Sequence, residues 1–544
     1  MENWNKRKGS RLARLKKASA FSSGKIVRQE DIVSLLESVI ASGSRVCLEG
    51  DNQKQAVFLA ESLAGLSPEK VKGIHLLIST VSLPEHLDIF ESGIASKIDF
   101  SYCGRQAGRM ASLITSKKIE IGAIHTYPEL YARYFIDLTP DVCLLCAESA
   151  DKDGNLYFGF NAEDSPVIAE ATAFHNGIVI AQVNNIVEKL PRADVPGDWV
   201  DFVVQSPRPY AMDALFTRDP AKLDEIKVLM AMMAIKGIYA EYGIQRLNHG
   251  VGFNTAAIEL LLPTYAAELG LKGKICKHWL LNPHPTLIPA IEAGFVESVF
   301  SPGSEIGMGD YIRARSDVFF NGKDGSMRSN RAFAQMAGHY GIDLFIGSTL
   351  QIDTYGNSST ATLGRVAGFG GAPNLGCDSR GRRHASGAWL RAGREAGGHD
   401  PRGRKLVVQL VETFQQGGQP TFVEKLDAFA VAEDMGQEIP PIMIYGDDLT
   451  HIITEEGIAS LHLCRSEEER EQAVRGVAGY TPVGLGRSLR DVENLRDRGI
   501  IKRPEDLGIK ASDATTDLLA ARSIKDLVIA SGGLYNPPAE FVNW

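Results

Sequence analysis

The sequence contains no run of eighteen apolar residues, so none of it reads as a membrane-spanning helix. Its most apolar helical stretch, Val228 to Ala240, is interrupted by Lys236 and Gly237 and is expected to be buried in a globular core. Cysteine is sparse: seven residues, an odd number, are spread from Cys47 to Cys464. That pattern excludes a disulfide framework and makes the cytoplasm the expected location. Cys143 and Cys146 form a CxxC, but they lie in an apolar, strand-like run without a second pair, and no metal site is expected. Excess positive charge is missing too. A formal net charge of -9 argues against a general nucleic-acid surface. The one basic cluster, Lys6 to Lys17, lacks the apolar stretch of a secretory signal, and residues 1–24 are expected to form a solvated arm or a subunit contact.

What remains is an ordinary globular composition, 44% hydrophobic and 23% charged, in a chain of 544 residues, which is too long for a single core. Short apolar runs alternate with helical patterns, the signature of α/β layers with mostly parallel sheets. Expected strands are 45–48, 74–79, 98–102, 121–124, 142–146 and 178–183, then segments near Leu247, Ile275, Phe295, Val318, Leu344, Val407 and Ile442. A looser Pro- and Asp-rich stretch, Pro191 to Pro220, divides residues 25–215 from residues 216–544. Both parts open with a strand, a glycine turn and a helix: Leu48-Glu49-Gly50-Asp51, then Asn248-His249-Gly250-Val251-Gly252-Phe253.

Two glycine segments carry chemistry. Gly250-Val251-Gly252 lacks the full dinucleotide spacing, because Thr255 stands where a third glycine belongs. Backbone N–H groups left exposed by such a turn suit a phosphate or an oxyanion. Residues 364–403 hold eleven glycines and seven arginines. Phe369, Trp389 and Leu390 are anchors that a linker does not need, so an ordered, anion-wrapping loop is expected over 364–390.

Starting ahead of this region, Gly347 to Asn357 (GSTLQIDTYGN) followed by Gly368-Phe369-Gly370-Gly371-Ala372-Pro373-Asn374 resembles the CoA-transferases built as two fused halves. Thr450 to Ala459 resembles that family's late strand and turn. The resemblance implies two tandem CoA-transferase-type α/β domains. Where the family carries a nucleophilic glutamate, this chain has Gln351, and an amide cannot form the acyl anhydride that leads to an enzyme thioester. The motifs Ala367 to Asn374, Asp378 to His384, Val411 to Phe414 and Gly533 to Pro538 are similar to those of malonate decarboxylase α subunits.

That resemblance implies exchange of acetate for malonate on the thioester of an acyl carrier protein, through a mixed anhydride in a ternary complex. It also implies a CoA-like (phosphoribosyl-dephospho-CoA) arm on the carrier, no directly bound cofactor, and carboxylase/decarboxylase subunits as partners. The implied catalytic groups are Gln351, Val251, Gly370 and Gly371. Binding falls to Gly250, Gly252, Asn254, Asp353, Asn357, Phe369, Ala372, Asn374, Arg382, Arg383 and His384. Asp353 and Asn357 also fit a purely turn-ordering role, His249 and His284 a structural one, and Glu412 or Glu455 is a candidate relocated nucleophile. Competing readings are a citrate lyase α-type transferase, a CoA-transferase or acetyl-CoA hydrolase using free CoA, and a scaffold that docks the carrier.

Overall fold

The computed structural model describes the chain except residues 1, 52–53, 302, 324–335, 337, 378–385, 397–402 and 543–544. Two mostly parallel sheets organise it. The first contains β1 (Arg45–Leu48), β2 (Ile74–Val81), β3 (Ala95–Cys103), β4 (Glu120–Ile124), β5 (Val142–Ala150), β6 (Ile178–Ile186) and β7 (Phe202–Gln205), in the spatial order β7-β6-β5-β1-β2-β3-β4. A short hairpin, Ser22–Ser23 with Ile26–Val27, extends it beyond β7.

The second sheet contains β8 (Arg246–His249), β9 (His278–Leu280), β10 (Ser298–Phe300), β11 (Leu344–Gly347), β12 (Leu406–Leu410) and β13 (His451–Thr454). Their order is β10-β9-β8-β11-β12-β13, completed by the antiparallel β14 (Gly457–Ser460) and β15 (Ile501–Lys502).

The two sheets share a plan. In each, the first strand lies inside the sheet, the next strands stack on one side of it, and later strands return to its other side. That return is a topological switch point, where loops diverge at the carboxyl ends of adjacent strands and leave a crevice. The switch falls between β1 and β5 in the first sheet and between β8 and β11 in the second.

Strand periodicity sets the layers. Val46 and Leu48 enter one apolar cluster and Cys47 the opposite one; Leu344 and Ile346 likewise face away from Phe345. Helices cover both faces, which is why strands such as β2 and β6 read as nearly continuous apolar runs. Cys143 and Cys146 are buried free cysteines of β5. No group of metal-ligating side chains occurs among the described residues, and none of their helices is long and apolar enough to cross a membrane.

Several sequence expectations need correction. No strand forms at Val318 or Ile442; each neighbourhood contributes only isolated bridges, Val299 with Phe319 and Ser358 with Ile444. Pro440 and Pro441, which lack N–H donors, precede Ile442 and keep it out of a ladder. The stretch Pro191 to Pro220, where the sequence places the division, contains β7. The basic arm is a helix, Glu2–Ala18, and its arginines are partly buried against the first sheet's residues rather than free in solvent. Arg7 pairs with Asp141 at 3.1 Å, Arg11 with Asp201 at 2.5 Å, and Arg14 donates to the Val39 carbonyl.

Candidate active site

The second sheet's crevice opens into a cavity of about 330 Å³. Residues at the end of or just after β8 (His249, Gly250, Val251), β9 (Leu281, Asn282, His284) and β11 (Ser348, Thr349, Leu350) line it. The glycine loop Gly368 to Ala372 forms another wall, and the first half contributes Tyr102 and Tyr127. The two glycine motifs, distant in sequence, therefore border one space.

Glycine is required where backbones crowd. A Cβ on Gly250 would lie 2.9 Å from the Gly347 Cα, so the ends of β8 and β11 meet only without side chains there. Gly368 has φ +73°, and a Cβ on it would lie 2.6 Å from the Ser101 carbonyl oxygen. That closeness is productive. The N–H groups of Phe369 and Gly370 donate to the Ser101 oxygen at 2.7 and 2.9 Å, and the Cys103 N–H donates to Ala367 at 2.7 Å. The Tyr127 N–H donates to Gly370 at 3.2 Å. The loop is thus sewn to the end of β3.

These bonds sort the candidate oxyanion donors. The Gly250 N–H is committed to the Ile346 carbonyl (2.7 Å) and the Gly370 N–H to Ser101, which removes both from the donor set expected from sequence. The N–H groups of Val251 and Gly371 take no hydrogen bond among the described residues, and both residues line the cavity. Ser348 and Thr349 also border it, with hydroxyls that donate to Leu410 and Ser359 carbonyls.

Gln351 stands differently from its expectation. Leu350 faces the cavity, and successive side chains of an extended segment point to opposite sides. The Gln351 side chain accordingly turns away, its Oε1 accepting the Asp427 N–H at 2.8 Å. Asp353 accepts the N–H groups of Tyr355 (3.0 Å) and Asn357 (2.9 Å), and Asn357 accepts that of Gly446. Both order a turn outside the cavity wall.

Asn254 donates to the Leu410 carbonyl, Asn374 gives its own carbonyl to His339, and Gly252 precedes the helix Phe253–Leu261; none of the three lines the cavity. Phe369 and Ala372 do. Arg382, Arg383 and His384 lie outside the described residues. Of the glutamates considered as nucleophiles, Glu412 pairs with Lys227 at 2.9 Å and Glu455 accepts the Thr413 N–H. Neither borders the cavity.

The sequence pointed to His249 and His284 but missed the carboxylate that joins them. Glu259, fully buried, holds the Nδ1 atoms of His249 (3.0 Å) and His284 (2.8 Å) on one oxygen, and Thr286 on the other. Burial alone would raise this carboxyl, but the charge of His284 and hydrogen bonds from both imidazoles hold it far below the usual range. Burial pushes His249 down despite Glu259. The available signal was modest: His284 stands between Pro283 and Pro285 directly after a strand, where the backbone is preset.

Beside the cavity lies a second cleft of about 320 Å³ that shares Tyr102, Leu215 and Arg365 with it and adds Arg105, Arg218 and Lys222. Arg218 is partly buried and its guanidinium is pushed down by desolvation. Asp213 and Asp219 line the same cleft, so its charge is mixed with a cationic excess.

A model of the family described as malonate decarboxylase, alpha subunit, transporter matches residues 3–544. The chain is 62% identical over 530 residues, 96% of each protein, to the acetyl-S-ACP:malonate ACP transferase of Malonomonas rubra. It superposes with a TM-score of 0.96 on a chain of a Pseudomonas malonate decarboxylase hetero-tetramer solved in complex with malonate, at 56% identity and 99% coverage of both chains. The citrate lyase α subunit of Streptococcus mutans shares the fold alone, with a TM-score of 0.60 at 15% identity, covering 92% of this chain and 86% of that one.

Proposed function

The chain belongs to the malonate decarboxylase α subunits, and from that premise we propose how its cavity acts. The protein is a transferase, an acetyl-S-ACP:malonate ACP transferase. One observation carries the proposed route: among the described residues, no carboxylate lines the cavity. An acyl-enzyme anhydride on Asp or Glu has no group to form on, so the acceptor acid itself is the nucleophile.

A malonate carboxylate oxygen adds to the acetyl carbonyl carbon, the C–S bond breaks, and acetyl-malonyl anhydride and the carrier thiolate result. The sulfur then attacks the malonyl carbonyl and acetate leaves. The free N–H groups of Val251 and Gly371 donate to the oxyanion; one well-aimed donor is worth about 3–4 kcal/mol. Holding both reactants in one cavity contributes up to ~7–11 kcal/mol through orientation.

The adjoining cationic cleft receives the phosphates of the carrier's CoA-like arm, a phosphoribosyl-dephospho-CoA group, with Arg365 at the junction of the two spaces. The acyl carrier protein and the carboxylase subunits of a cytoplasmic malonate decarboxylase are the partners.

The test uses carrier bearing labelled acetate. Acetate release should require malonate and not citrate, and hydroxylamine should trap no acyl group on the protein when the acceptor is omitted. An acyl group or thioester recovered on Glu412 or Glu455 overturns this route.

A further inference from the structure

The exchange proposed above generates a thiolate in its first half and consumes it in its second. His284 is built to manage that sulfur's proton. Its side chain is 5% exposed and lines the cavity, and its Nε2 has no hydrogen-bond partner among the described residues. Such a buried, unsatisfied nitrogen is costly unless something outside the chain satisfies it.

The rest of the ring is fixed. Glu259 accepts from Nδ1 at 2.8 Å, the Phe216 ring stacks on the imidazole at 5.1 Å between centroids, and the prolines on either side set the backbone. A carboxylate is acceptor only, so Nδ1 carries a hydrogen and protonation changes at Nε2 alone. His249 has the same Glu259 contact, but its Nε2 meets the Tyr239 hydroxyl at 2.8 Å and is already satisfied. Of the pair, only His284 has a nitrogen left for a ligand. The charged and titratable groups around it are Glu259 and His249, with Tyr239 behind His249 and Arg218 coupled to Glu259.

We propose that His284, oriented by Glu259, is the catalytic residue that holds the carrier thiol's proton between the two half-reactions. As the C–S bond of acetyl thioester breaks, the Nε2–H proton passes to sulfur, leaving the thiol and an Nε2 lone pair. As sulfur attacks the malonyl carbonyl, its proton returns to Nε2 and the acetate carboxylate departs. No proton is gained or lost over the cycle, and no other reagent is needed. The proposal rests on the ternary-complex reading of this cavity.

The experiment compares wild type and His284→Ala, each with acetylated carrier and malonate. Loss of general acid–base catalysis should lower kcat by about 10²-fold or more. The malonate KM should stay within about threefold, because a proton holder binds no carboxylate, and free imidazole should restore part of kcat in the vacated space. An unchanged kcat, a loss confined to KM, or a kcat loss that imidazole leaves untouched overturns the assignment. Thermal unfolding checks the variant; if it does not fold, His284→Gln keeps the volume and is read by the same split of kcat from KM. Wild type that releases no acetate with malonate sinks the reading of the cavity itself, whereas an active wild type with an indifferent variant sinks only His284.

Discussion

The two sheets reach the same topological switch point and treat it in opposite ways. After β1, Glu49 accepts the Cys146 N–H at 2.8 Å and pairs with Lys54 at 2.9 Å, with Ser165 bonded to both. The Phe158 ring lies 4.0 Å from the Lys54 ammonium, and both charged side chains are completely buried. That crevice is plugged by its own side chains. After β8, at the equivalent place, Gly250 has no side chain and Val251 only a short apolar one, and His284 leaves a nitrogen unsatisfied. A fold supplies crevices; side chains decide which of them becomes a site.

The comparison breaks most visibly at Glu49. Glu49→Gln leaves the Lys54 charge buried without its partner, which should cost about 3–5 kcal/mol in denaturant unfolding, while acetate–malonate exchange per folded molecule stays at wild-type level. The double variant Glu49→Met with Lys54→Met should recover most of that loss. If Glu49→Gln folds but loses exchange, the first crevice belongs to the site and the contrast is wrong.

A smaller effect is expected at the seam. Gly368→Ala places a methyl group against the Ser101 carbonyl at a positive φ, which shifts the glycine loop and with it the Gly371 donor. Exchange should fall about 10²-fold, roughly 2.7 kcal/mol of barrier, with a stability loss of only about 1–2 kcal/mol. Wild-type exchange in this variant removes the loop from catalysis.

Least is expected at Gln351. Gln351→Ala gives up one hydrogen bond to Asp427, about 1 kcal/mol of stability, with exchange within roughly threefold of wild type. Gln351→Glu should acquire no hydrolysis of free acetyl-CoA. A gain there would bring residue 351 back into the open crevice as a displaced nucleophile position.

What the sequence revealed follows from how local each feature is. The α/β class, the buried CxxC and the strands around Val46, Ile180 and Leu344 depend on runs of neighbouring residues. The glycine turns at Gly250 and Gly368 are legible for the same reason, because crowding there concerns backbone alone. Gln351 was legible as a residue type but its direction was not, because similarity in motif leaves direction open and one step along a strand reverses a side chain. Tyr102, Tyr127 and Phe216 were not legible as cavity walls, since only the packing of one half on the other brings them there. Glu259 lies mid-helix in an apolar run, and nothing in its neighbours announces two histidines waiting on it.

The stitching of Phe369 and Gly370 to Ser101 also fixes when the site can exist. A chain emerging from the ribosome can complete its first sheet once Gln205 is out, yet the wall that closes the cavity is still unsynthesised. The cavity's lining is complete only after the chain through Met443 has been made and the glycine loop has folded back onto β3. The active site is thus a property of the finished chain, shared between segments made far apart in time.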